Sequence, residues 1–264
     1  MSTELGNEYI FNGRHVADVP RRLRALEESY DPGTVGRLER LGVGAGWHCL
    51  EVGTGAGSVT RWLSHRAGPA GRVLAADLDT SFFTGEGLDN VEVRQLDLRS
   101  ERPPEGEFDL VHARLVLGHL PERDRVLDAL VAALRPGGWL LVEEAEEFPF
   151  HGMGDGLHRE VVLAALAAME TAGFTAKWGR KLPALFRARG LEDVSAVVEA
   201  PIVPGGSSGL EWLRLSIDQL IRGGHPIQVH GRGGYEQWRR KSEDPDTWLV
   251  SLPLVAAQGR AARR

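Results

Sequence analysis

Residues Leu50–Thr60 read LEVGTGAGSVT. A short apolar run, WHCLEV, meets Gly53, Gly55 and Gly57. A stretch with Val59, Trp62 and Leu63 on one helical face follows. Glycine adopts the left-handed backbone that a sharp strand-to-helix turn needs, so strand, turn and helix are expected here. The alternation continues downstream. RVLAADLD, VEVRQLDL, the start of FDLVHARLVLGHL and WLLVEE read as further strands. Pro121 opens a helix, PERDRVLDALVAALR, with Val126, Leu127, Leu130, Val131 and Leu134 at helical period. Pro136-Gly137-Gly138 stops it. Strands alternating with helices predict a parallel sheet covered on its faces. SFFTGEGLDN, after Asp79, is too short and glycine-broken for a full crossover helix, so one compressed turn is expected there.

The flanks read as additions to this core. Pro20–Glu28 has Leu23 and Leu26 at helical spacing, Asp31-Pro32-Gly33 reads as a turn, and Thr34 can cap a helix running to Leu41. After the fifth strand, Leu157–Ala172 and Leu182–Arg189 are helical, EDVSAVVEAPIV is a strand, and PGGSSG is a loop. Leu210–Ile221 is helical, 223–234 is a glycine-rich loop, and the closing strand lies in WLVSLPLVAAQGRAARR with Pro253 at its start. The expected plan is a single domain with four parts. Residues 1–40 form an N-terminal helical layer and 41–148 a ligand-binding core. Residues 149–200 and 246–264 supply the rest of the sheet and its helices, and 201–245 a cap.

A glycine turn entering a helix offers backbone N–H groups to an anion. Glu51 contradicts a simple phosphate cradle. A carboxylate beside a pyrophosphate is repelled by roughly 4 kcal/mol per unit pair at ~4 Å with an effective dielectric near 20. The pattern also has Ser58 where a dinucleotide fingerprint has its third glycine. A carboxylate suits a ligand that carries a cation. S-adenosylmethionine carries an ammonium and a sulfonium, and its own carboxylate can face the N–H-rich turn. Asp77 ends the second strand, where it can accept both ribose hydroxyls. Asp97 ends the third, where it can accept from an adenine amino group. Each acid could instead only cap the following segment, but three in register behind one glycine turn favour a shared ligand.

In order and spacing, LEVGTGAGSVTRWL, AADLDT, VRQLDL, FDLVHARLVLGHLPER and ALRPGGWLLVEE resemble the motifs of class I S-adenosylmethionine-dependent methyltransferases. The resemblance is strong over about residues 41–148. It extends upstream through YIFNGRHVADVPRRLRALEESYDPGT, which looks like the N-terminal layer of enzymes that modify quinones and natural products. It implies a Rossmann-like, seven-stranded, mostly parallel sheet with helices on both faces, the last strand antiparallel, and a helical cap. It also implies a cofactor site built from Glu51, Gly53, Thr54, Gly55 and Gly57. Asp77 would hold the ribose, Leu78 would pack on the adenine, and Asp97 and Leu98 would read the adenine edge. Ala113 and Arg114 would lie near the methionine part, and Tyr9 would close over it.

Methyl transfer needs alignment above all, with a general base if the acceptor is a hydroxyl. His119, in LVLGHLP, and His151, in FPFHGMGDG, are the candidate catalytic groups. His112, mid-strand, reads as a packed core residue. Glu143 and Glu144 end the fifth strand, where one could face the acceptor. Phe148, Phe150, Met153, Phe174, Trp178 and Trp212 are candidate linings of an apolar acceptor pocket.

The expected function is methyl transfer to a small, partly apolar metabolite. Alternatives are the same cofactor site turned to cyclisation, decarboxylation or hydroxylation, or a cofactor-binding protein without catalysis. An NAD-dependent oxidoreductase is disfavoured by Glu51 and Ser58. The 31 Lys+Arg against 37 Asp+Glu give a net charge of -6 and no dense basic block, so nucleic acid is not an expected partner. No apolar run is long enough to span a bilayer and the N-terminus lacks a signal-peptide pattern. The one cysteine, Cys49, sits in an apolar run, as expected of a buried thiol. A cytoplasmic protein is expected, and a homodimer is compatible with the sequence. His225 and His230 have no partner cysteine, so no metal site is expected.

Overall fold

The computed structural model describes residues 18–152, 156–225, 227–229 and 233–263. Tyr9, Met153 and His230 lie outside them. The elements run α1 (Val19–Arg40), β1 (His48–Val52), α2 (Ser58–Ala67), β2 (Arg72–Asp77), β3 (Val91–Gln95), β4 (Phe108–Arg114), α3 (Arg123–Ala132) and β5 (Leu134–Ala145). Then follow α4 (Gly156–Glu170), α5 (Leu182–Ala188), β6 (Glu192–Glu199), β7 (Ile202–Pro204), α6 (Ser208–Arg222), α7 (Gly234–Glu243), β8 (Trp248–Val250) and β9 (Leu254–Arg260).

Seven strands form one sheet in the order β3-β2-β1-β4-β5-β9-β6. Neighbours from β3 to β5 pair in parallel, and β9 pairs antiparallel with both β5 and β6. The closing strand is thus the antiparallel one, as expected, and it lies one place in from the edge. The chain order reverses beside β1, the switch point where open α/β sheets bind ligands. Strand alternation sorts the core into two layers. Cys49, Val73, Leu110 and Leu141 face α1 and α2. Leu50, Leu74, Val111 and Leu140 face α3 and α5. A third apolar cluster joins α4, α6 and α7 to the end of β5, forming the cap. Cys49 is fully buried, and burial pushes its thiol above its ordinary range.

Three sequence expectations are corrected. The Asp31-Pro32-Gly33 turn is absent: α1 runs through it, with Pro32 inside the helix. An interior proline removes a hydrogen bond and costs ~3 kcal/mol, which is overridden by the contacts that follow it. Tyr30 donates to the Leu252 carbonyl, and Thr34 and Arg37 bond Glu143. Thr34 is therefore mid-helix and buried, not a cap. Second, β5 begins before Pro136, through an irregular register against Phe108 and Leu110. Third, Pro201 and Pro253 each divide an expected strand. The pieces before Pro253 and after Pro201, β8 and β7, pair with each other as a separate ribbon; a proline has no N–H for a ladder. After the glycine-rich loop, α7 forms where no element is expected from the sequence. Its Trp238 is fully buried and donates to His158 Nδ1.

The compressed segment after Asp79 holds one short 3-10 turn, Thr80–Phe82. Phe83 replaces the missing crossover helix as a wall, packed so closely on Gly57 that a Cβ there would lie 2.2 Å from its ring.

Candidate active site

One large cavity opens over the C-terminal ends of β1 to β5, between the sheet, α1 and the cap. Glu51, Gly53, Thr54, Gly55, Asp77, Leu78, Asp97, Leu98, Arg114 and His119 all line it. Three sequence candidates within the described residues do not. Gly57 caps α2 and makes room for Phe83. Ala113 is buried in the α3 layer, because alternation turns it away from its neighbour His112. His151 stands on the exposed turn Phe148–Gly152, 3.5 Å from Glu147.

The glycine turn is tight for steric reasons. Gly53 has φ 74° and Gly55 φ 56°, and a Cβ on Gly53 would meet Val116 at 2.3 Å. Gly55 N–H donates to Asp77 Oδ2 at 2.8 Å and Asp79 N–H to Asp77 Oδ1 at 3.0 Å. Asp77 is thereby fixed at the strand tip with lone pairs to share. Burial raises its pKa in spite of these bonds. Asp97 lies in a fork with Arg99, Nη2 to Oδ2 2.9 Å, and that hydrogen bond lowers its pKa. The N-terminus of α2 already meets an anion: Glu27 of α1 accepts from Ser58 N–H at 3.1 Å.

Glu51 begins a buried row of charge across the α1 face of the sheet. Its Oε2 is 3.0 Å from His112 Nδ1, and His112 Nε2 is 3.1 Å from Glu143 Oε2. Arg37 bridges Glu143 to Glu199. Arg114 donates to Thr34 and Asp31. Burial alone would push His112 down, but Glu51 and Glu143 on its two sides raise it to about 9. Burial would raise Glu143, yet His112, Arg37 and Arg114 bring it to about 2. Raised in this way, His112 is a cation between its two carboxylates at neutral pH. Of the carboxylates in the row, Glu51 is the one that lines the cavity among the described residues.

Glu144 points elsewhere. Its carboxylate accepts from the N–H groups of Val116, Leu117 and Gly118 at 3.2, 2.7 and 3.1 Å, fixing the loop that carries His119. Burial pushes it up to about 7 against those three bonds. Neither carboxylate at the end of β5 is among the cavity-lining residues. His119 sits on the cavity wall, its ring 4.6 Å from Phe174. Burial, reinforced by Arg22 and Arg123, lowers it to about 3, so it is a neutral imidazole at physiological pH. Of the aromatic candidates, Phe174 and Trp212 line the cavity. Phe150 and Trp178 are core residues, and Phe148 is exposed. Sequence reasoning missed Arg22 and Glu27, both of which line the cavity.

A parallel sheet with its switch point under a glycine turn and three strand-tip acids defines a nucleotide-type cofactor site of the Rossmann-like class. The methyltransferase-domain family model matches residues 21–196, so the chain belongs to that family, whose methyl donor is S-adenosylmethionine. Among curated proteins it is similar to the ubiquinone/menaquinone biosynthesis C-methyltransferase UbiE of Hahella chejuensis, 33% identical over 40% of this chain and 46% of that protein. It is also similar to methyltransferase str2 of Strobilurus tenacellus, 32% identical over 59% of this chain and 58% of that one. The chain thus spans about half the length of these relatives. Phosphoethanolamine N-methyltransferase 2 of Haemonchus contortus, solved with S-adenosyl-L-methionine, shares the fold. Its TM-score is 0.63 at 16% identity, covering 100% of this chain and 62% of that one. No helix among the described residues is long and apolar enough to cross a membrane.

Proposed function

We propose that this chain transfers a methyl group from S-adenosylmethionine to a small, partly apolar metabolite by in-line displacement. When bound, the cofactor supplies a methyl carbon on a cationic sulfur. Glu51 holds a negative charge beside the cation, Asp77 accepts the ribose hydroxyls, and Asp97 with the backbone of Leu98 meets the adenine edge, Leu78 lying against the base. The Arg114–Asp31 pair fixes α1 over the methionine end. The cap excludes water and aligns the acceptor. His119, uncharged, accepts a hydrogen bond from the acceptor. The relatives named for quinone biosynthesis support a small-molecule acceptor, and a single buried cysteine fits a cytoplasmic setting.

The observation that carries this reading is the convergence of Glu51, Asp77 and Asp97 on one cavity. Calorimetric titration with S-adenosylmethionine tests it. Binding is expected, weakened about tenfold or more in Asp77→Ala, and labelled methyl should appear in an apolar acceptor with release of S-adenosylhomocysteine. A protein indifferent to millimolar cofactor would sink the reading.

A further inference from the structure

A second groove lies at the opposite end of the sheet. It opens beside the starts of β4 and β5 and the end of β9, and it shares no lining residue with the cavity over the glycine turn. Trp47, just before β1, Pro136 and Trp139 of β5 give it apolar walls. Two guanidinium groups stand at its edge, from Arg260 at the end of β9 and from Arg263 beyond it. Both crowd one glycine. A Cβ on Gly137 would lie 3.9 Å from Arg260 Nη2, and 3.3 and 3.8 Å from Arg263 Cγ and Nε. Gly137 has φ 80°, a backbone that glycine adopts freely, so the corner stays clear for the two side chains.

Arg260 is held in place. Its Nε donates to the Gly137 carbonyl at 2.9 Å, and its guanidinium lies 5.2 Å from the centre of the Trp139 ring. Among the described residues no carboxylate pairs with Arg260 or Arg263. Glu192 stands opposite Arg260 in the β6–β9 ladder, yet no ion pair joins them. The acid of the lining, Asp109, is already engaged. Its Oδ1 is 3.0 Å from Arg135 Nη1, and its Oδ2 accepts from His48 N–H at 2.8 Å. Two guanidinium groups side by side repel each other until an anion sits between them. Their planar forks match a carboxylate or a phosphate, and the indole and proline walls suit a flat apolar body. We infer that this groove is a second ligand site that takes an aromatic anion, its carboxylate or phosphate on Arg260 and Arg263 and its ring against Trp47 and Pro136. The inference is independent of the proposed function.

The test titrates 2-naphthoate, 2-naphthyl phosphate and 2-naphthylmethylammonium into the full chain. Tryptophan indole N–H resonances, assigned with Trp47→Phe, Trp139→Phe and Trp212→Phe, report where each probe binds. At least one anion should move the Trp47 and Trp139 resonances and bind about tenfold or more tighter than the ammonium. The tighter of the two anions tells a carboxylate site from a phosphate site. Arg260→Gln with Arg263→Gln should lower that affinity about tenfold or more, while Arg260→Lys with Arg263→Lys should keep the preference for anions over the ammonium. Should the Gln pair not fold, the Lys pair and the unmodified chain still decide. Shifts confined to Trp212 would put the probes in the other cavity and overturn the inference. So would silence at Trp47 and Trp139 with millimolar anion, ammonium binding equal to that of the anions, or a Gln pair that keeps the affinity.

Discussion

His112 shows how one side chain links the fold to the site. It lies fully buried between Glu51 and Glu143 and rises from 6.5 to about 9. A folded pKa above the unfolded one stabilises the protein fully below about 6.5, and that contribution fades as pH climbs toward 9. The whole interval is worth about 3 kcal/mol, or roughly 6–12 °C in Tm for a chain of this size. Melting curves from pH 6.5 to 8.5 should therefore slope downward, and His112→Asn should remove the slope while lowering the plateau, since breaking a buried ion pair costs about 3–5 kcal/mol. A variant with the unmodified slope would place the titration elsewhere. His119 answers to a different measurement. Its neutral imidazole is on the wall, so His119→Ala should cut kcat about tenfold through loss of a hydrogen bond to the acceptor and leave the Kd for S-adenosylhomocysteine within about twofold. Unchanged kcat would remove it from the chemistry.

At the scale of elements, the loop after β4 is held against its own preference. Leu115 has φ 57°, a left-handed backbone that costs an ordinary residue about 1–2 kcal/mol. The three N–H bonds to Glu144 keep the loop there. Glu144→Gln places an amide donor where those donors converge. We expect it to destabilise the fold by about 1–3 kcal/mol and to lower kcat far more than cofactor affinity, because His119 shifts while the glycine turn does not. Equal losses in both would mean a general collapse of the site. This loop also marks how far the sequence could be read. The glycine turn, the strand-tip acids and the alternation are local patterns, so the cofactor side was legible at Glu51, Asp77 and Asp97. The compressed segment was legible too, from its length and glycines. Glu144, Glu27 and Arg22 act through partners 26 to 31 residues away or across the cavity, and nothing beside them in the chain names those partners. The turn expected at Pro32 failed for the same reason: local proline chemistry lost to the long-range anchoring of Thr34 and Arg37.

Across the whole molecule, α1 connects the two halves of the cavity. Leu23 would touch a Cβ on Gly55 at 3.7 Å, Glu27 meets the start of α2, Arg22 and Leu26 face the apolar side, and Arg21 pairs with Glu211 of α6. Thr34 and Arg37 then fasten the same helix to the charge row under Glu51. A ligand that settles Glu51 and the glycine turn should therefore tighten α1, and through it the cap helix α6, before any acceptor arrives. The β7–β8 ribbon pairs only with itself in sheet terms; it packs on the cap cluster through Val203, Leu249 and Val250 but not on the glycine turn or the charge row. Hydrogen exchange with and without S-adenosylhomocysteine distinguishes the two. Protection should rise at residues 19–30 and 208–222 and stay unchanged at 202–204 and 248–250. In Arg37→Met the rise at 208–222 should shrink while that at the glycine turn persists, because the helix has lost its anchor to the row and not its contact with the turn. Protection confined to residues 50–60 would mean that cofactor and cap are filled independently, and the charge row would then be a device for stability alone.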